Sequence, residues 1–154
     1  MLVWLAMIPE FLESGLLPPG VHSAENWTEF VQRFGWNDHR KHLLEGLGFA
    51  IKELRGANCE SLFIDGSFVT EKDYPSDYDA CYETSGINFG RMNKVFADFS
   101  NQRALQKAFF RGEFFPCRFL VADTDPKRTF LDFFQVDKES GEKKGVVLLK
   151  LEDL

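Results

Sequence analysis

The sequence has few cysteines and few positive charges. Its three cysteines, Cys59, Cys81 and Cys117, lie far apart and form no CxxC pair, which predicts reduced, intracellular thiols rather than a disulfide framework or a zinc site. The formal net charge is −6. Because general binding of nucleic acid needs a basic face, we expect no general DNA binding. A local basic pocket is still compatible with this charge.

The apolar start of the sequence is too short to span a membrane. It consists of residues 1–8, MLVWLAMI, and no basic region precedes it. We interpret it as a packing or docking segment, or as an imprecise start, and we expect a cytoplasmic protein with no membrane partner. The 154 residues are expected to form a single domain (1–154), in which residues 1–22 are an N-terminal segment and a Pro/Gly hinge, GLLPPGVH.

Helical spacing of apolar residues predicts two helices after the hinge. In AENWTEFVQRF the aromatic residues recur at helical spacing, and Ser23 with Asn26 offers helix-start chemistry. Asn37 is the expected N-cap of a longer helix over roughly residues 38–55. Gly56 is expected to end that helix in the left-handed conformation.

The second half of the sequence predicts a sheet. ESLFID and YDACYE have the composition of strands, residues 90–108 have helical periodicity, and three further strands are predicted in FFPCRFLVA, RTFLDFFQV and GVVLLKL. Two helices, two strands, a helix and a strand meander indicate an α+β fold. We expect a mixed or antiparallel sheet with helices packed on one face.

Residues 66–79 are suited to phosphoryl or nucleotidyl transfer. Asp77 and Asp79 are separated by one residue, so on a strand both carboxylates project from one face and can hold divalent metal ions. Gly66 and Ser67 follow a predicted strand. Glycine lets backbone amides approach a phosphate, and the serine hydroxyl can bind a phosphate oxygen. The alternative is a solvated turn rich in Asp, Pro and Ser.

Asp132 is the expected third carboxylate. It is a lone charge in TFLDFFQ, and such a charge is costly to bury unless a metal or a cation compensates it. We therefore predict that Asp132 joins Asp77 and Asp79 as a metal ligand and receives the proton of the acceptor hydroxyl. Its alternative is an edge-strand charge that faces water. Asp65 and Asp73 can substitute for these carboxylates, but are expected to be structural or exposed.

A cation is expected near the phosphates, and no single one stands out in the sequence. The two histidines His39 and His42 can share a helix face, but without a further ligand set they do not indicate a metal site. The cations considered for the phosphates are Lys72, Arg118, Lys127, Arg128 and Lys143.

The run DGSFVTEKDYPSDYD resembles the Gly-Ser, nine-residue spacer, Asp-x-Asp signature of the nucleotidyltransferase superfamily related to DNA polymerase beta. It looks most like the small, stand-alone bacterial members called minimal nucleotidyltransferases. The wider set GLLPPGVH, RFGWNDHR, IDGSFVTEKDYPSDYD and FFQVDKESGEKKG is similar to a family of uncharacterised bacterial proteins often assigned to that superfamily. Asp65 departs from the superfamily pattern, since an apolar residue is commoner there.

This resemblance implies Mg²⁺-dependent transfer of a nucleoside monophosphate from a nucleoside triphosphate, such as ATP, to a protein or RNA acceptor. It implies that Gly66 and Ser67 bind the phosphates, and that two Mg²⁺ ions are bound by Asp77, Asp79 and Asp132. A toxin–antitoxin or defence setting, with a partner encoded nearby, is also implied. The alternatives are a catalytically inactive member that acts as a binding or antitoxin module, and a structural protein that merely shares the turn.

Overall fold

The computed structural model describes residues 8–122 and 124–154. Most of the apolar start, residues 1–7, therefore lies outside the described residues, and the interpretation of that segment as a packing or docking element stays a prediction. Within the described ranges, no helix is both long and apolar enough to cross a bilayer.

A five-stranded mixed sheet forms the centre of the structure, and it confirms the α+β class. Its spatial order is β1-β5-β2-β3-β4. The outer pairs, β1 with β5 and β3 with β4, are parallel, whereas β2 is antiparallel to both of its neighbours. The strands are β1 (Gly20–Ser23), β2 (Ser61–Asp65), β3 (Tyr78–Tyr82), β4 (Gly112–Pro116) and β5 (Gly145–Lys150).

In the described part of the chain, four α-helices accompany the sheet: α1 (Trp27–Phe34), α2 (Asp38–Gly56), α3 (Ser100–Phe110) and α4 (Phe130–Phe133). The predicted N-caps are confirmed, because the side chains of Asn26 and Asn37 each accept a backbone hydrogen bond from the first turn at 2.8 Å. The prediction for Gly56 is wrong. Gly56 is the last residue of α2, and the left-handed residue is Asn58 (φ 65°), a residue type that tolerates this conformation.

The two faces of the sheet are covered differently. Along β3, Tyr78, Ala80 and Tyr82 belong to the larger core, which also contains buried residues of α1, α2 and α3. Cys81 points the other way, into a smaller cluster with Phe134 and partly buried residues of α4. The expectation that helices pack on one face only is therefore wrong for α4. All three cysteines are free and buried.

Four segments differ from their predicted structure. The strand predicted in FFPCRFLVA begins earlier, at Gly112, and ends at Pro116. RTFLDFFQV is not a strand: Thr129 accepts a hydrogen bond from the amide of Asp132 at 3.2 Å and begins the short helix α4. Its phenylalanines are compatible with a strand or a helix, and the Thr129 cap favours the helix. The predicted helix over 90–108 is a 3₁₀ turn (Lys94–Ala97) followed by α3. The hinge GLLPPGVH contains the start of β1, which its Pro/Gly content concealed.

Candidate functional site

Three carboxylates meet where β3 and β4 lie side by side. Asp77 directly precedes β3, Asp79 lies within it, and Glu113 lies on β4 as the register partner of Asp79. Each offers one oxygen, and these oxygens all lie within 4.8 Å of one another. Because residues i and i+2 of a strand project from the same face, Asp77 and Asp79 share the face predicted for them. An all-oxygen ligand set of this kind suits Mg²⁺.

The turn that contains Gly66 and Ser67 lies against these carboxylates. Asp65 at the end of β2 is the register partner of Asp79, so the turn begins beside the site. Gly66 has φ 83°, and a Cβ atom there would lie 2.5 Å from Asp79 Oδ2. Only glycine fits both the conformation and the space. Gly66 therefore lies directly beside Asp79, and Ser67 lines a cavity with Asp79.

Arg40 anchors the exposed segment that joins this turn to Asp77. Its buried guanidinium lies 3.6 Å from the centroid of the Trp36 ring. Burial lowers the pKa of Arg40 to about 10, although Asp73 opposes this. His39 and Asn37 also contact the segment, at the carbonyls of residues 75 and 73. At 2.6–3.1 Å, Arg40 donates to the carbonyls of Phe34, Phe68, Thr70 and Lys72.

The carboxylates are strongly coupled to one another. Burial, followed by the hydrogen bond to Glu113 and the negative charges of Asp77 and Asp65, raises the pKa of Asp79 well above its usual range. Burial and the charge of Glu113 also raise the pKa of Asp77. Burial opposes ionisation of Glu113, but hydrogen bonds from Asp79 and Lys107 outweigh it and lower the pKa of Glu113. Burial and hydrogen bonding therefore shift the pKa values of Asp79 and Glu113 in opposite directions.

Two cations from α3 contact Glu113. Lys107 Nζ lies 3.0 Å and Arg103 Nε lies 3.2 Å from Glu113 Oε1. Arg103 is the last of three consecutive residues in the left-handed conformation. The φ angles of Asn101, Gln102 and Arg103 are 51°, 54° and 61°. Each such residue costs about 1–2 kcal/mol. A conformation of this cost is typical of a functional position rather than of an ordinary helix start.

A buried ion pair lies on the opposite side of the carboxylates. Lys144, which directly precedes β5, has its Nζ 3.4 Å from Oδ1 of Asp65, and the two residues are 9% and 2% exposed. Burial raises the pKa of Asp65 to about 6, and the charge of Lys144 opposes this. Both line a cavity of about 210 Å³ with Gly66, Ser67 and Asp79. Lys144 also lines adjacent cavities of about 460 and 410 Å³.

Asp132 is not part of the carboxylate group, so the prediction that it is the third carboxylate is corrected. It is exposed on α4 and lines the cavity of about 410 Å³ with Lys143. Glu113 takes the expected place on the strand beside Asp79. The signal that suggested Asp132, a lone charge among phenylalanines, is equally present in GEFFP around Glu113.

The cations that lie closest to the carboxylates were not among those considered from the sequence. Arg103, Lys107 and Lys144 are far from the motif along the chain, and no local pattern marks them. Of the cations considered, Lys72 lines the cavity of about 460 Å³. Arg118 pairs with Glu83 at 3.2 Å.

Comparison with known proteins shows where the chain belongs. No curated protein and no solved structure matches it. A protein-family model does match, over residues 9–150, and this range contains the strands, the carboxylates and all the cations described above. The chain therefore belongs to that family, which is described as a family of unknown function, DUF6932.

Proposed function

We propose that this protein is a Mg²⁺-dependent nucleotidyltransferase, which moves a nucleoside monophosphate from a nucleoside triphosphate to a protein or RNA acceptor. The observation that carries the proposal is the meeting of three carboxylates from two adjacent strands beside the Gly66–Ser67 turn. Nucleotidyl transfer needs little covalent chemistry from the protein. It needs held phosphates, neutralised charge and aligned attacking and leaving oxygens.

Asp77, Asp79 and Glu113 are the residues that would hold the metal. Bound there, Mg²⁺ would neutralise charge on the phosphates and favour the ionised form of the attacking hydroxyl. The tight fit of Gly66 against Asp79 supports this assignment. No side chain lies between the Asp79 carboxylate and the turn at Gly66 and Ser67, which we call the phosphate turn.

Lys144 is the proposed phosphate-binding cation. Its position where three cavities meet, next to Ser67, lets an ammonium group contact phosphate oxygens that the turn binds. Asp65 holds this ammonium from the buried side. That gives a physical reason for a carboxylate at a position where the superfamily commonly has an apolar residue.

The reaction forms one bond and breaks one. The acceptor oxygen bonds to the α-phosphorus while the bond from that phosphorus to the bridging α–β oxygen breaks, and pyrophosphate leaves beside Gly66, Ser67 and Lys144. Glu113 would receive the proton of the acceptor hydroxyl, because it lies on the strand beside Asp79, at the position expected for the third carboxylate.

The test uses purified protein, Mg²⁺ and labelled nucleoside triphosphates, first in calorimetry and then with cell extract. Binding of ATP that depends on Mg²⁺, followed by labelling of an acceptor, is expected for the wild type. The Asp77→Ala, Asp79→Ala double variant should stay folded and lose both. A folded wild type that binds neither Mg²⁺ nor any nucleoside triphosphate contradicts the proposal and favours an inactive binding module. The label also tests the toxin–antitoxin or defence setting, by identifying the acceptor.

A further inference from the structure

The ends of the site carry different cations. Lys144 lies beside β5 and Asp65, next to the phosphate turn, whereas Lys107 and Arg103 contact Glu113 on β4 at the other edge of the sheet. In nucleotidyl transfer the attacking oxygen enters opposite the leaving pyrophosphate. If pyrophosphate leaves at the Lys144 end, the acceptor enters at the end where Arg103 and Lys107 lie.

Arg103 and Lys107 have binding capacity that Glu113 does not use. The side chains of Lys107 and Arg103 are 40% and 29% exposed, so both are accessible to a ligand. Their charges also act on Asp77, so the two cations balance the carboxylates of Asp77 and Glu113. A metal ion bound to the same carboxylates would leave these cations available to an anionic ligand. An anionic group of the acceptor would use this charge.

An exposed aromatic ring lies next to these cations. Phe99 is 42% exposed and stacks on Phe115, with ring centroids 6.1 Å apart and an interplanar angle of 16°. Arg103 lies over the same Phe115 ring, 5.3 Å from its centroid. An exposed ring beside a guanidinium is the combination that binds an unpaired base and its phosphate in single-stranded RNA. An acidic peptide would use the cations but not the ring.

We propose that Arg103, Lys107 and Phe99 bind the 3′ end of a single-stranded RNA, as the acceptor in the reaction described above. The two cations bind the phosphate of the terminal nucleotide and Phe99 stacks on a base. The terminal ribose hydroxyl then attacks the α-phosphorus, its proton passes to Glu113, and pyrophosphate leaves. The inference rests on the proposed function, and it selects RNA from the two acceptor classes considered there.

The primary measurement is binding, by fluorescence anisotropy, of a short single-stranded RNA labelled at its 5′ end. It is made with the full chain, Mg²⁺ and a non-hydrolysable ATP analogue. Lys107→Met and Phe99→Ala are each expected to weaken RNA binding roughly tenfold, and Lys107→Met should lower the slope of log affinity against log salt by about one. Lys52→Met removes one exposed charge from α2 and should change the affinity less than about twofold. Circular dichroism shows whether each variant is folded, and Lys107→Gln replaces Lys107→Met if that variant unfolds.

The outcomes separate this inference from the proposed function. If the wild type binds Mg²⁺ and the ATP analogue but not RNA, or if the Lys107 and Phe99 variants bind RNA as tightly as Lys52→Met does, the inference is overturned and the proposed function stands. If a polyglutamate peptide binds and depends on Lys107 while RNA does not bind, the acceptor is a protein. If the wild type binds neither Mg²⁺ nor nucleotide, both proposals fail.

Discussion

A methyl group on Gly66 would lie 2.5 Å from Oδ2 of Asp79. The turn after β2 and the Asp79 carboxylate of β3 are therefore in close contact, with no space for a side chain between them. Gly66 also has φ 83°, which other residues adopt only with strain. This contact joins the turn proposed to bind phosphate to the carboxylates proposed to bind metal.

Gly66→Ala should destabilise the fold and the site together. The left-handed conformation alone costs about 1–2 kcal/mol, and the contact with Asp79 adds about 1–3 kcal/mol. Gly141→Ala is the matched control, because Gly141 has φ 74° but no atom within 4 Å of the place that an added methyl group would take. Urea denaturation compares the two variants, and a Mn²⁺ titration should show weakened metal binding for Gly66→Ala only. Equal loss of stability in both variants contradicts the close contact.

Glu113→Gln should weaken metal binding by roughly tenfold or more, because it removes one of three charged ligands. Asp132→Asn is the matched comparison and should change the affinity less than about twofold, since Asp132 is exposed on α4. Calorimetric titration with Mg²⁺ or Mn²⁺ measures both. If Asp132→Asn weakened metal binding more than Glu113→Gln did, Asp132 rather than Glu113 would be the third carboxylate.

Metal affinity should increase as the pH rises through the raised pKa values of Asp77 and Asp79, because the metal competes with protons for these carboxylates. Burial is the first cause for both Asp79 and Asp77. The stability of the metal-free protein should change with pH in the opposite direction to the metal affinity. A raised folded-state pKa stabilises the fold below the unfolded pKa of Asp79, and that contribution is lost as the pH rises through its folded value.

Mn²⁺ titration and urea denaturation at several pH values check both signs. Asp79→Asn should remove the contribution of Asp79 to the pH dependence of apo stability, because the amide does not titrate, while the contributions of Asp65 and Asp77 remain. A metal affinity that does not change with pH would contradict the coupling of Asp79 to its neighbours.

Arg40→Met should destabilise the protein by about 3 kcal/mol or more, because several buried carbonyls lose a charged donor. Arg40 is fully buried, and its four carbonyl partners include Phe68 and Thr70, which directly follow the Gly66–Ser67 turn. Arg91→Met, at an exposed position, should stay within about 0.5 kcal/mol of the wild type. Thermal denaturation compares them. A small effect of Arg40→Met would mean that the segment 70–76 is held by other contacts.

The sequence predicted the elements whose signals are local. Asn26 and Asn37 cap their helices as expected, since a cap is a contact between residues three positions apart. The strands around Asp65 and Asp79 are likewise present. The Gly66–Ser67 turn and the Asp-x-Asp pair could be placed together because they belong to one short segment.

The remaining site residues come from distant parts of the chain. Glu113 and Asp132 are both charges among phenylalanines, so only strand pairing with β3 separates them. Lys144 meets Asp65 because β5 pairs with β2, and that pairing leaves no mark in either segment. The contact of Lys107 with Glu113 depends on how α3 packs against β4 at the edge of the sheet. Such long-range contacts are set by tertiary packing rather than by sequence periodicity.

Because β5 lies between β1 and β2, the sheet needs both the N-terminal and the C-terminal parts of the described chain. Ile64 pairs with Val147, and His22 pairs with the same residue from the other side. A polypeptide that stopped before Lys144 would leave β1 without the strand it pairs with and Asp65 without its cation. Contacts this remote in sequence slow folding. A short peptide that carries only residues 66–79, transplanted into another scaffold, should accordingly show none of the chemistry.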